Sequence, residues 1–333
     1  MGFLSGAFLT AWFFSVSVTS LAGYALGPWA SGEHEIWSSY NDKPVSEIVH
    51  PGSSDEKKLI GRMSEWEISE VFESLRDAEP REKLEVWSSL FLNTPYFLDS
   101  LGEGYHGKRD PKPPLDFTRV DCLSFVEQVM ALAFSQSYDE VLSWLLRIRY
   151  RGGKPKFNNR HYTMTKGWIL ANKKIGLLED VTAQVVSADL LGKISVGLRP
   201  KSYWERQHRK RFQILGKHAP SGVARLNYIP IDALIQGSVK LPVSALMHIV
   251  SEIQHSSPYL ITHTGLLVKK NNVVYFRHAS RSPTRQRVED RIVEEYLETL
   301  RDFYEKEGRR RVLGVNITRI IPPGEVHGKT NHP

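Results

Sequence analysis

The stretch Leu260-Ile261-Thr262-His263-Thr264-Gly265-Leu266-Leu267-Val268-Lys269-Lys270-Asn271-Asn272-Val273-Val274-Tyr275-Phe276-Arg277-His278-Ala279-Ser280 decides the fold. Two runs rich in β-branched and aromatic residues flank Lys270-Asn271-Asn272, which has the composition of a tight turn. The stretch therefore predicts an antiparallel pair of strands. Upstream, Ala245-Leu246-Met247-His248-Ile249-Val250 predicts another strand. Downstream, Glu289 to Arg309 predicts a surface helix and Val312 to Ile321 a last strand.

Further upstream the apolar period is helical. A helix from Ser64 places Trp66, Val71 and Leu75 on one face, with Ile68 and Phe72 widening it. A second helix after Pro80 turns Leu84, Trp87, Leu90 and Phe91 inward and ends at Asn93-Thr94-Pro95. Residues 100–117 form a basic loop rich in Gly and Pro. Helix 121–135 follows, with Val126, Val129 and Ala133 inward, then a helix from Tyr138 to Arg149 with Leu142, Leu145 and Leu146 inward. Arg151-Gly152-Gly153 breaks the chain, a short helix ends near Asn172, and a basic helix runs from Ser202 to Leu215. A helical N-terminal half followed by a small antiparallel sheet defines an α+β protein.

Apolar residues make up 41% of the 333-residue chain and charged ones 24%, which is enough for a real core. The net charge of +7 favours acidic partners: nucleic acid, anionic lipid or a carboxylate-rich substrate. Scattered basic residues and the lack of a base-reading motif argue against nucleic acid. Residues 1–32 hold no charged side chain. The apolar run from Phe3 ends in Ser20-Leu21-Ala22, small residues where a signal peptidase reads, so residues 1–22 are expected to be an export signal. No Lys or Arg precedes the run, and about 20 apolar residues can span a bilayer, so a retained membrane anchor is the alternative. Residues 23–63 are expected to be a linker, 64–321 the folded domain, and 322–333 a disordered tail. The protein is then periplasmic or extracellular, and meets a membrane only if the anchor is kept.

Cys122 is the only cysteine. It stands in Val120-Asp121-Cys122-Leu123-Ser124-Phe125-Val126-Glu127, at the first turn of a helix, where the partial positive charge favours a thiolate. It is either a nucleophile or a small buried hydrophobe. A cysteine nucleophile needs a base within hydrogen-bond reach, and the base needs a third group to hold its tautomer. The strand pair can set His263 and His278 side by side, so Cys122, His263 and His278 fit as nucleophile, base and orienter. Taken singly, each of the 12 histidines is an ordinary surface or core residue. No close-spaced ligand pair of the zinc kind is present, and no cofactor is implied.

A cysteine at a helix start, then His-x-Gly, then a polar residue on the next strand, resembles the NlpC-type cell-wall cysteine peptidases. The likeness extends to the branch known as N-acetylmuramoyl-L-alanine amidase-like. It rests on Thr94-Pro95-Tyr96, Asp121-Cys122 with Phe125-Val126-Glu127, Arg149-Tyr150-Arg151-Gly152-Gly153, His161-Tyr162, Trp168-Ile169 and Tyr228-Ile229-Pro230, and covers roughly residues 64–318. Two places depart from it. Leu241-Pro242-Val243-Ser244-Ala245 stands where a Gly-Asp-Ile is usual, and Ser124 stands where a Thr often does.

The resemblance implies a papain-like core and hydrolysis of an amide in a peptidoglycan fragment, either between N-acetylmuramic acid and L-alanine or after D-glutamate. A non-catalytic wall-binding module is the alternative from another class. Tyr96, Asp121, Ser124, His161, Trp168 and Arg277 are the candidate substrate contacts. Asp121 reads equally as a helix cap, and Tyr96, His161 and Trp168 as packing residues. Lys108, Arg109, Arg119, Arg149 and Arg151 are further candidates for a basic cleft facing substrate carboxylates.

Overall fold

The computed structural model describes residues 58–198, 221–252, 259–306 and 311–324. The expected export signal, most of the expected linker, the expected helix 202–215 and most of the expected tail lie outside the described residues. Among the described residues no helix is long and apolar enough to cross a membrane.

Four helices open the body: α1 (Glu65–Ser74), α2 (Pro80–Ser89), α3 (Cys122–Phe134) and α4 (Tyr138–Arg149). Ser64 and Glu67 close a capping box at the start of α1, each side chain bonding the other's backbone N–H at 3.2 and 2.7 Å. The buried face of α1 is Ile68, Phe72 and Leu75. Trp66, expected inward, is 70% exposed, because it lies half a turn away from Ile68. Pro80 starts α2 at a position where its missing N–H costs nothing. Leu84, Trp87, Leu90 and Phe91 are buried as expected. Helix α3 is buried along its whole length after Cys122, which marks it as the central helix of the core. In α4 the inward set is Val141, Leu145 and Ile148; Leu142 is exposed and Leu146 half-buried.

The packed body begins ahead of Ser64: Ile60 is buried, and its N–H bonds the Leu90 carbonyl at 3.0 Å. After α4 come α5 (Ile169–Lys174), β1 (Leu178–Asp180), α6 (Thr182–Val185), β2 (Gly192–Leu198), β3 (Gly222–Pro230) and α7 (Ile231–Ile235). Then follow β4 (Ala245–Ser251), β5 (Ile261–Lys270), β6 (Val273–Ala279), β7 (Val288–Ile292), α8 (Val293–Lys306) and β8 (Val312–Ile320).

The protein is α+β as expected, but its sheet is larger than expected. Among the described residues it has eight strands in the order β2-β3-β8-β4-β5-β6-β7, with β1 also on β8, and every pair is antiparallel. Strands β2 and β3 carry mixed polar residues and Gly, so their period is weak in the sequence. Strand β7 (Val-Glu-Asp-Arg-Ile) is charged at three positions of five and merges in the sequence with the helix after it. That helix begins at Val293, and it is not a free surface helix. Val293, Tyr296, Leu297, Leu300, Phe303 and Tyr304 are buried against the sheet.

Side-chain alternation divides the sheet between two cores. Leu246, Val250, Leu266, Val268 and Ala279 join α1–α4 in one. Met247, Ile249, Leu267, Phe276 and Ile317 join α7 and α8 in the other. Beyond β7, short bridges extend the edge. Val288 exchanges bonds with Asn93 and Thr94 at 2.8 and 2.9 Å, and Val120 exchanges bonds with Pro95 and Phe97 at 3.0 and 2.8 Å. The chain is thereby carried from β7 to the start of α3.

Inside the helical layer, Arg149 and Glu127 are paired with almost no exposure, and Arg149 Nη2 also donates to the Leu101 carbonyl at 2.9 Å. Removing one partner leaves an uncompensated charge in the core. Arg149→Ala is expected to lower stability by about 3–5 kcal/mol in urea unfolding. A loss below about 1 kcal/mol, the level of an exposed pair, would refute this role.

Candidate active site

Asp121 has extended backbone and caps α3, its Oδ1 accepting the N–H groups of Leu123 and Ser124 at 2.9 and 2.7 Å. Ser124 Oγ accepts the Asp121 N–H at 2.8 Å and closes the box. Cys122 is the first helical residue, with a half-buried side chain. Helix α3 packs on β5 and β6.

Those two strands carry His263 and His278. His263 Nε2 and His278 Nδ1 are 2.8 Å apart with the rings nearly perpendicular. The hydrogen bond uses one nitrogen of each ring, so His263 is left with Nδ1 to address another group. Gly265 makes the approach possible. A Cβ there would stand 2.5 Å from the Arg277 carbonyl oxygen, 2.7 Å from the Phe276 ring and 2.8 Å from His278 Cβ. The His-x-Gly pattern thus has a steric origin. His263 also adjoins a register shift between β4 and β5, a feature that re-aims side chains. Phe276 stacks on His278 at 4.7 Å and Tyr296 of α8 stands 5.0 Å away.

His278 is 3% exposed, and its Nε2 has no hydrogen-bond partner. The nearest acid is Glu289, Oε1 lying 3.8 Å from that nitrogen, while Glu289 Oε2 is held by Arg285 at 3.1 Å. Burial, and then the charge of Arg281, pushes the pKa of His263 down to about 3. Burial, then His263 and the nearby Arg291 and Arg285, holds His278 well below its ordinary value. Both rings are neutral at neutral pH.

A cavity of about 40 Å³ opens beside the pair, walled by Thr262, His263, His278, Ser280, Glu289 and Tyr296 among others. Cys122 is not one of its walls. The imidazoles stand on the Phe276 side of the sheet, and the body of α3 packs on the Leu266 side. The structure joins the two histidines and puts the thiol on the helix against the same strands.

The remaining candidates separate. Tyr96 is half-buried and bridges to Val120, two residues before Cys122. Asp121 and Ser124 are occupied in the cap, and Asp121 Oδ2 also accepts the Asp99 N–H at 2.9 Å. Trp168 is fully buried. Arg277 is 2% exposed, forked onto Asp290 at 2.7 and 2.8 Å and bonded to Ser88 at 2.8 Å. It joins β6, β7 and α2 and has no face left for a substrate, as its alternation onto the helical side requires. Arg149 is buried with Glu127, and Arg119 is paired with Asp116 at 2.9 Å. His161 is half-buried and lines a separate basic cleft. Glu289, Tyr296, Arg281 and Arg285 were not legible as site residues. Glu289 could have been found only by pairing it with His278 across β6 and β7.

The class of the chain is given by its match to an amidase-like family model. Residues 86–303 match the family model AmiA-like, N-acetylmuramoyl-L-alanine amidase-like, and the chain belongs to that family. Its structure is similar to that of a Legionella pneumophila protein assigned to the DUF1460 family model: 23% identity, TM-score 0.67, 78% of this chain and 94% of that one. It is also similar to an N-acetylmuramoyl-L-alanine amidase from Bacteroides uniformis, at 18% identity, TM-score 0.52 and coverage of 72% and 98%. A candidate xylanase from Bacteroides fragilis gives 21%, 0.53, 71% and 99%. At these identities the likeness is one of fold alone. Among curated proteins none matches the chain.

Buried neutral histidines make stability depend on pH. His248, fully buried between Thr264 and Thr318, is also pushed down by burial to about 3. Unfolded histidines take up protons below about pH 6.5, whereas His248, His263 and His278 in the folded chain do not. Their contribution is therefore complete above about pH 6.5 and is lost as pH falls toward 3, at up to about 1.4 kcal/mol per group per pH unit. The urea midpoint is expected to drop between about pH 7 and about pH 5. A flat profile would show that the rings are solvated.

Proposed function

We propose that the protein is an exported cysteine hydrolase of NlpC-type, papain-like architecture. It cuts the amide between N-acetylmuramic acid and L-alanine in peptidoglycan fragments. One observation carries the reading: His263 Nε2 and His278 Nδ1 are 2.8 Å apart, which leaves His263 Nδ1 outside that bond, and the reading assigns it to the thiol. The position of Cys122 at the start of a helix packed on the same strands, and membership of the amidase-like family, add support. Export rests on the uncharged, apolar first 22 residues.

The tautomers follow from the neighbours. Glu289 faces His278 Nε2 and favours a proton there, so His278 Nδ1 accepts and His263 Nε2 donates. That leaves a lone pair on His263 Nδ1. In the proposed reaction Sγ attacks the amide carbonyl carbon as its proton passes to Nδ1. The backbone N–H of Cys122 and the Tyr96 hydroxyl are the proposed oxyanion donors. The C–N bond breaks, and the amine leaves with the proton from His263. Water then attacks the thioester, gives a proton to His263, and releases the acid and the thiol.

The test is mass spectrometry of purified muropeptides, including anhydro forms, incubated with wild type, Cys122→Ala and His263→Ala. Wild type is expected to release the intact stem peptide. Cys122→Ala should be inactive, and His263→Ala slower by about 10²–10⁴-fold. Release of L-Ala-D-Glu would move the assignment to an endopeptidase of the same mechanism. Unchanged activity in Cys122→Ala would remove the nucleophile assignment, and no cleavage by any form would favour a wall-binding module.

A further inference from the structure

Positive charge is unevenly shared along this chain. Between Val141 and Leu178 there are nine Lys and Arg and no Asp or Glu, while the rest of the chain, taken together, is slightly acidic. Arg149 and Arg160 are spent inside the fold, on Glu127 and on Asp99 and Asp110. Arg147, Lys173 and Lys174 are exposed, and Lys166 is half-buried.

Local structure gathers these cations on one face. The turn Met164–Trp168 runs into α5 without a break, because Trp168 and Ile169 both keep right-handed helical backbone. Met164, Trp168, Ile169 and Asn172 point inward and are buried. Lys166, Leu170, Lys173 and Lys174 fall at helical spacing on the outward side. Lys166, Leu170, Lys174 and Ile175 border one concavity together with Arg147 from the end of α4.

Two aliphatic side chains stand among these cations in water. Leu170 is 37% exposed and Ile175 47%. One exposed Leu is ordinary. An exposed aliphatic pair set among Lys166, Lys173 and Lys174 has the make-up of an interfacial helix. The ammonium groups attract anionic headgroups, and the aliphatic groups enter the boundary with the acyl chains. A soluble polyanion would use the cations and gain nothing from Leu170 or Ile175. Both readings of residues 1–22, export signal and anchor, bring the chain to a bilayer.

We infer that this face, with Arg147, Lys166, Lys173 and Lys174 around Leu170 and Ile175, docks the protein on an anionic phospholipid surface. The inference does not depend on the hydrolase reading, and none of these six residues belongs to the proposed catalytic site.

The test is co-sedimentation of the full chain with vesicles of phosphatidylcholine alone and of phosphatidylcholine and phosphatidylglycerol in equal parts. Partition is expected to be at least about a hundredfold stronger on the anionic vesicles, from several cations at roughly fivefold each. Raising salt from about 0.1 M to about 0.5 M should remove most of that gain. The double variant Lys173→Gln, Lys174→Gln should lower anionic partition by about twentyfold. The double variant Leu170→Ser, Ile175→Ser should lower it several-fold at either salt. Both should keep the thermal midpoint and the muropeptide turnover of wild type. Apolar residues 1–22 would bind lipid of either charge and so cannot produce the difference. Equal partition on the two vesicles overturns the inference. A gain that survives the Lys173 and Lys174 substitutions also overturns it and moves the contact to another basic segment, such as 199–220. Polyphosphate binding as tightly as the anionic vesicles, with Leu170 and Ile175 indifferent, overturns it in favour of a soluble polyanion. Turnover without docking would sink this face and leave the hydrolase standing, and docking without turnover would do the reverse.

Discussion

Two guanidinium groups taken out of water govern the helical half of this protein. Arg149 and Arg160 each cost several kcal/mol to desolvate unless a carboxylate and further hydrogen bonds receive them. Glu127 and Leu101 receive the first, Asp99 and Asp110 the second. Burial pushes the Asp99 carboxyl up, but Arg160 and Lys112 outweigh it and hold it well below the carboxylate range. Residues 99–112 have no regular structure, yet they are pinned because they are the counter-ions. Glu103 fastens the same loop by accepting the N–H groups of Arg109, Asp110 and Phe157 at 3.1, 2.8 and 2.8 Å. The network ends at Asp121, so the ions that stabilise the core also fix where α3 begins.

The sheet imposes the second constraint. A strand shows one side chain in two to each face, and β4, β5 and β6 are covered on both. Polar groups on either face must then be paired. Toward the helices Thr264 and Thr318 bond His248, and toward α8 His263 bonds His278. Gly265 removes the one side chain that would separate the second pair. The histidine pair is thus a packing solution as well as a chemical arrangement.

The sequence carried the elements whose apolar period is strong: α1 to α4, the β5–β6 hairpin, β4 and β8. It did not carry β2, β3 or β7, where pairing with neighbours, and no local pattern, makes the strand. Face assignments failed at the margins, with Trp66 and Leu142 outside, because one residue of phase separates a buried stripe from a wet one. His263 and His278 were legible as neighbours because a tight turn fixes their register. The basic residues were not legible. Arg149, Arg151 and Arg277 look alike in the chain, yet Arg149 and Arg277 are structural ions, paired with a carboxylate 22 residues back and one across the sheet, and Arg151 lines a cleft.

Those same electrostatics set the resting state of the proposed base. The start of α3 favours a thiolate, but a helix terminus contributes only about 0.3–2 kcal/mol. Burial beside Arg281 holds His263 near 3 instead of its ordinary 6.5, a bias of roughly 5 kcal/mol against the imidazolium. The imidazole is therefore neutral in the free protein. Arg285 and Arg291 reinforce that bias at His278. A backbone hydrogen bond at Ala279 opposes it, and Glu289 stands 3.8 Å away, partly neutralised by Arg285. In the proposed site the imidazolium becomes favourable when a negative oxyanion forms beside it, so charge separation is tied to the proposed reaction.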